Sequence, residues 1–138
     1  MKKTFSNSNT GGINNQVIPG AITNQDIPKI KDILDNLEKH KYSYIFLEPV
    51  QYLELGLTDY LQIVKKPMDL STIKKNLNNL AYNSVQEVIN DIMLIWYNCK
   101  NYNVEGSDIH DYACALEKFS KKIIDKYYKV KYNKAESK

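Results

Sequence analysis

The sequence contains no arginine: all 19 of its basic residues are lysine. That absence weighs against a dedicated nucleic-acid reader, because bidentate contacts to bases and phosphates favour the planar guanidinium. Cysteine is nearly missing too. Cys99 and Cys114 both fall inside helical patterns, which fits a reduced intracellular setting rather than a disulfide framework. These two thiols, His40 and His110 lack the spacing of a zinc site, so neither a metal nor another cofactor is expected. A Cys99 nucleophile would need a base; His110 is the only histidine near it in sequence and no third member of a triad is evident, so the chain does not read as an enzyme. Long apolar runs are also lacking. None approaches the length of a membrane span. Lys2 and Lys3 lead into Thr4, Ser6, Asn7, Ser8 and Asn9, not into the apolar stretch of a signal peptide.

What is present fits one compact domain. The chain has 138 residues, 43% of them hydrophobic, with a net charge of +3; this is enough for one real core and too little for two. Residues 1–25 are polar, rich in Gly and Asn and without sustained period, and are expected to be a disordered leader or linker; Pro19-Gly20 interrupts any local packing of Val17, Ile18 and Ile22. The domain proper is expected over residues 26–130, followed by a polar tail over residues 131–138.

Within the domain four helices are legible. The first opens at Asp26, read as an N-cap, with Pro28 in the first turn and Ile27, Ile30, Ile33, Leu34 and Leu37 at helical spacing; it runs out near His40, whose partial charge suits a helix end. The second follows Pro67, with Asp69 as cap and Leu70, Ile73, Leu77 and Leu80 as its apolar face. The third opens on the capping box Ser84-Val85-Gln86-Glu87 and carries Val88, Ile89, Ile92, Met93, Ile95, Trp96 and Cys99, a surface broad enough to be central. The fourth starts after Gly106-Ser107, with Asp108 and Asp111 at its positive end and Ile109, Tyr112, Ala113, Leu116, Phe119, Ile123 and Tyr127 facing inward. Residues 42–67 read as neither helix nor alternating strand, except for a helical turn near residues 59–64. So long and apolar a connection is usually functional. The expected fold class is all-α, an up-down four-helix bundle with a long first inter-helix loop.

Up-down connectivity brings the first and third connections to the same end. The third holds Asn98-Cys99-Lys100-Asn101-Tyr102-Asn103, where the central helix stops. A helix end that delivers a primary amide among apolar side chains can bind a neutral polar group, and Asn103 is the candidate amide.

These strings resemble a bromodomain, the acetyl-lysine reader module, over roughly residues 27–128. The resemblance rests on Phe46-Leu47-Glu48-Pro49-Val50, Asp59-Tyr60, the specific Pro67-Met68-Asp69-Leu70-Ser71-Thr72-Ile73, Tyr82-Asn83-Ser84, Asp91 and the Asn98 to Asn103 hexapeptide. It implies a left-handed bundle in which Asn103 donates to the acetyl carbonyl and Tyr60 reaches the same oxygen through a water. It implies further that Phe46 and Val50 hold the methyl end, Leu55 and Leu57 form one wall, Ile109 is the gatekeeper, and Cys99 and Tyr102 complete the lining. Many family members have Trp-Pro-Phe where this chain has Tyr44-Ile45-Phe46, so the shelf formed with Pro49 should be less flat and more flexible.

Acetylation removes a lysine's charge and leaves an amide with a small methyl. A free ammonium would offer Asn103 no acceptor and would be poorly solvated, a penalty that builds selectivity. One hydrogen bond and a few buried methylenes imply a single-site affinity between about 1 μM and 1 mM. The expected partners are acetylated histone tails or other acetyl-lysine proteins, in the nucleus, for a monomeric domain away from membranes. Glu48, Glu54, Asp59, Glu105, Asp108 and Asp111 would give an acidic rim that speeds encounter with cationic tails, although Asp108 and Asp111 equally serve as helix caps. The alternatives are a helical domain that contacts nucleic acid weakly through Lys118 to Lys134, and a ligand-free scaffold.

Overall fold

The computed structural model describes residues 20–130 and 132; the leader up to residue 19 and the rest of the tail lie outside them. The described residues form helices α1 (Asp26–Lys39), α2 (Tyr60–Ile63), α3 (Leu70–Asn78), α4 (Val85–Tyr102) and α5 (Asp108–Asp125), with one 3-10 turn at Ser43–Phe46 and no strand among them. Helix α4 packs on α5, α5 on α1, α1 on α3 and α3 on α4, which closes a four-helix bundle. The one-turn α2 is the helical turn expected inside the long loop. The 3-10 turn has no periodic signature and was not expected.

The caps follow the sequence with local shifts. Asp26 is the first helical residue of α1 rather than its N-cap. Its carboxylate accepts from the Thr23 N–H (2.8 Å) and hydroxyl (3.0 Å), and Thr23 Oγ1 accepts from the Asp26 N–H. This reciprocal box sits earlier than the expected start, and Ile22 packs against the core beside it. In α3, Asp69 accepts from the Thr72 N–H at 3.0 Å. Leu80 does not extend the apolar face of α3: it lies past the helix end, exposed, with a left-handed φ of 58°. In α4, Ser84 accepts from the Glu87 N–H, and Glu87 accepts in return from the N–H of Asn83 rather than of Ser84.

Helix α4 supplies the centre of the core. Trp96 is fully buried, and its indole N–H donates to Ser120 Oγ at 2.9 Å. Ser120 donates onward to the Leu116 carbonyl at 2.7 Å, so this polar pair satisfies itself inside an apolar layer. Ser120 and Ile124 are fully buried and complete an inner face of α5 that the apolar period alone does not predict. Lys100 and Glu117, whose side chains are almost covered, pair at 2.6 Å across α4 and α5. Lys118, Lys122, Lys126 and Lys129 are exposed. At the far end of the bundle Tyr128 donates to Asp26 (2.6 Å) and Tyr127 to Asp32, fastening the end of α5 to the start of α1.

His40 departs from the expected cationic helix end. Its Nδ1 accepts from the Tyr42 N–H at 3.1 Å, which a protonated ring could not do, and burial together with the Lys41 charge holds it below its ordinary 6.5. The unfolded chain therefore takes up this proton first as pH falls, so stability is full above pH 6.5 and declines towards the folded pKa. Urea midpoints should fall between about pH 7 and pH 5, and His40→Asn, whose Oδ1 can keep the Tyr42 contact, should flatten that limb.

Candidate functional site

The long loop is held at three points, Leu47, Asp59 and Lys66. The Leu47 carbonyl accepts from the Ser71 N–H at 3.0 Å. Asn98 Nδ2 donates to the Lys66 carbonyl at 2.8 Å, and Lys66 Nζ reaches Asp91 at 3.2 Å. Tyr82 donates to the other Asp91 oxygen at 2.7 Å. The hollow of about 350 Å³ that Lys66, Tyr82 and Asp91 help to line is thus a polar brace among groups already partnered. Nearer the end of α4, Tyr102 donates to Asp59 at 2.7 Å. These bonds bring the first loop alongside the α4–α5 connection, as up-down connectivity requires.

Asn103 ends α4. Its backbone leaves the helix in an extended conformation, and its own N–H still bonds the Cys99 carbonyl. Its half-buried amide also donates to that carbonyl, at 3.0 Å, and lies 3.5 Å from Cys99 Sγ. The side chain is therefore held at the helix end while its carbonyl oxygen makes no bond to the described residues. A primary amide has two N–H donors: the Cys99 carbonyl holds one, and the other meets only the weak acceptor Cys99 Sγ at 3.5 Å, which a carbonyl oxygen of a ligand can outcompete.

Around it, Tyr60 is buried, set edge-on to Tyr102 (5.0 Å) and stacked on Tyr52 (5.5 Å). Burial, with the nearby Cys99, pushes the Tyr60 phenol up; it stays a neutral donor at physiological pH. Burial also pushes the Cys99 thiol up to about 11, so it is a lining group and a poor nucleophile. Cys99 Sγ contacts the Ile109 carbonyl at 3.5 Å, which ties the first turn of α5 to the same spot. The bond to Asp59 leads the causes that raise the Tyr102 phenol.

The remaining expected residues divide by burial. Phe46 is buried, edge-on to Trp96 at 5.1 Å. Val50, Leu57 and Ile45 are half-buried, and Pro49 is exposed. Leu55 is 65% exposed, Ile109 42% and Tyr44 62%, so these three face solvent. The turn carrying Leu55 is closed by Gly56 in the left-handed region (φ 72°). Glu48, Glu54, Asp59, Glu105, Asp108 and Asp111 are all exposed. Sequence reasoning missed two supports of the site: Tyr52 behind Tyr60, and Asp59 as the acceptor of Tyr102. The tyrosines at residues 52 and 60 were visible in the loop, but nothing local pairs them.

The sequence model of the Bromodomain family matches residues 30–115. The chain belongs to the bromodomain family. Bromodomains are acetyl-lysine reader modules, and the helices, the loop and the Asn103 end of this bromodomain all fall within or beside the matched span. It is also 42% identical over 87 residues to Transcription factor GTE1 of Arabidopsis thaliana; the aligned part covers 62% of this chain and 22% of that protein. Among the described residues, no helix is long and apolar enough to cross a membrane.

Proposed function

We propose that this bromodomain binds acetylated lysine in histone tails and acts as a nuclear chromatin reader in transcription regulation. The observation that carries the reading is the amide of Asn103, held at a helix end beside Tyr60, Cys99 and Tyr102. The N–H that meets only the Cys99 sulfur would turn to the acetyl carbonyl, and the Tyr60 phenol would reach that oxygen through a water. Phe46, Val50, Leu57 and Ile109 would surround the methyl and methylenes, with the exposed Leu55 as the outer wall. Six exposed carboxylates, four on the two loops and two in the first turn of α5, suit a cationic tail, and the similarity to a transcription factor supports the nuclear setting.

Calorimetry with acetylated and matched unmodified histone-tail peptides tests this. Acetylated peptides should bind with Kd between about 1 μM and 1 mM, and unmodified ones at least about tenfold more weakly. Equal binding of both sets would refute the reading. Binding that collapses with salt equally for both would favour simple charge attraction.

A further inference from the structure

The substitution of Tyr44-Ile45 for the common Trp-Pro does not leave the flank of the site bare. Tyr42 stacks on Tyr112 (4.2 Å, 14° between planes), and Tyr44 leans on the same ring (6.4 Å, 59°). Tyr44 nevertheless keeps most of its surface in solvent. Three tyrosines thus rebuild a shelf, and unlike an indole on a proline it carries phenols. Asp108 shares a face of α5 with Tyr112, at i and i+4, and is exposed. Tyr44 leads the causes that push the Tyr112 phenol up, with burial and the Asp108 charge adding to it. Lys41 Nζ lies over the Tyr42 ring, 5.1 Å from its centroid, so the part of the platform open to a further cation is Tyr44 with Tyr112 and the Asp108 carboxylate.

The platform is close to the site. The Ile109 carbonyl meets Cys99, and the Cys99 carbonyl holds Asn103. Tyr112 follows Ile109 by three residues, about 4.5 Å along the helix axis. An anion here would face Asp108 and Asp111, and a bulky apolar group would strip water from phenols and carboxylate alike. A cation over a tyrosine face beside a carboxylate is favoured on both counts.

We infer that Tyr44 and Tyr112, with Asp108, select acetylated peptides that carry an unmodified Lys or Arg close to the acetyl-lysine, the flanking cation resting on the tyrosine shelf. This rests on the acetyl-lysine reading and adds to it a preference for one mark beside a free cation over two adjacent marks. Acetylation of the neighbouring lysine would cancel the charge and weaken binding.

The test uses the full chain and synthetic peptides with one central acetyl-lysine in a Gly/Ser background. A single Lys, acetyl-lysine, Gln or Glu is moved through about four positions on either side, the reach of an extended chain at roughly 3.3–3.6 Å per residue. At one or two positions Lys should bind about three- to fivefold more tightly than Gln, with acetyl-lysine and Glu at or below Gln. The Lys-to-Gln ratio, read within each variant so that changes in overall affinity cancel, should fall to near one in Tyr44→Ala, persist in Tyr44→Phe and shrink in Asp108→Asn. A ratio near one at every position, an unchanged ratio in Tyr44→Ala, or a preference for the doubly acetylated peptide overturns the inference while leaving the reader function standing. Failure of every acetylated peptide to bind overturns both.

Discussion

Asn103→Asp should weaken binding of an acetylated peptide by about ten- to a hundredfold while leaving the fold in place. The replacement has the same shape but no N–H to donate, and the buried acetyl carbonyl would lose its partner and face a carboxylate, a penalty on the order of 1–3 kcal/mol. Asn103→Ala should lose a similar amount. The helix end survives either change, because the backbone N–H of residue 103 keeps its own bond to the Cys99 carbonyl at 3.0 Å. Thermal midpoints should therefore move by no more than a few degrees, on the scale where about 1 kcal/mol shifts a domain of this size by a few degrees. Calorimetry and a thermal melt on the same preparation separate the two effects. Unchanged peptide affinity in both variants would remove Asn103 from the site.

Trp96→Ala should cost about 3–5 kcal/mol of folding stability, a large share of the 5–15 kcal/mol typical of a domain. The indole is fully buried and lies edge-on to Phe46 at 5.1 Å. It also donates to Ser120, whose own hydroxyl hydrogen goes to the Leu116 carbonyl. Trp96→Phe keeps an aromatic edge for Phe46 and leaves Ser120 its onward bond, so its cost should be markedly smaller, about 1–2 kcal/mol. Urea unfolding of the two variants reads this difference. Because Phe46 is braced by the indole, the alanine variant should also lose peptide affinity at temperatures where it remains folded. Equal destabilisation by Phe and Ala would mean that the hydrogen bond, rather than packing, dominates at residue 96.

The bundle was legible because its helices carry strong, redundant signals. Helix α4 has an apolar surface, a capping serine at Ser84 and an asparagine-rich end, and its observed bounds follow all three. Asp69 and Ser107 likewise mark helix starts by chemistry that needs no tertiary context. What was not legible depends on contacts distant in sequence. Ser120 reads as polar until Trp96 is placed against it. Leu80 fits the apolar spacing, yet the chain has already turned out of α3 by then. His40 reads as a charged helix end until burial and the Tyr42 N–H make it neutral. At the candidate site the sequence put Asn103 at the end of α4, where it lies. It did not indicate that Tyr102 ties the loop down through Asp59, or that Tyr42, Tyr44 and Tyr112 stack into a shelf.

The tyrosine fastening at the far end bears on how the domain is presented. Tyr128 meets Asp26 there, so chain entering before α1 and chain leaving after α5 attach at neighbouring points. The 18 residues of α5 put about 27 Å of rigid rod between that anchorage and the Asn103 tip. Any polypeptide joined at either side would therefore act as a leash on the base, and the reading tip could sweep an arc without its tether crossing the bound tail.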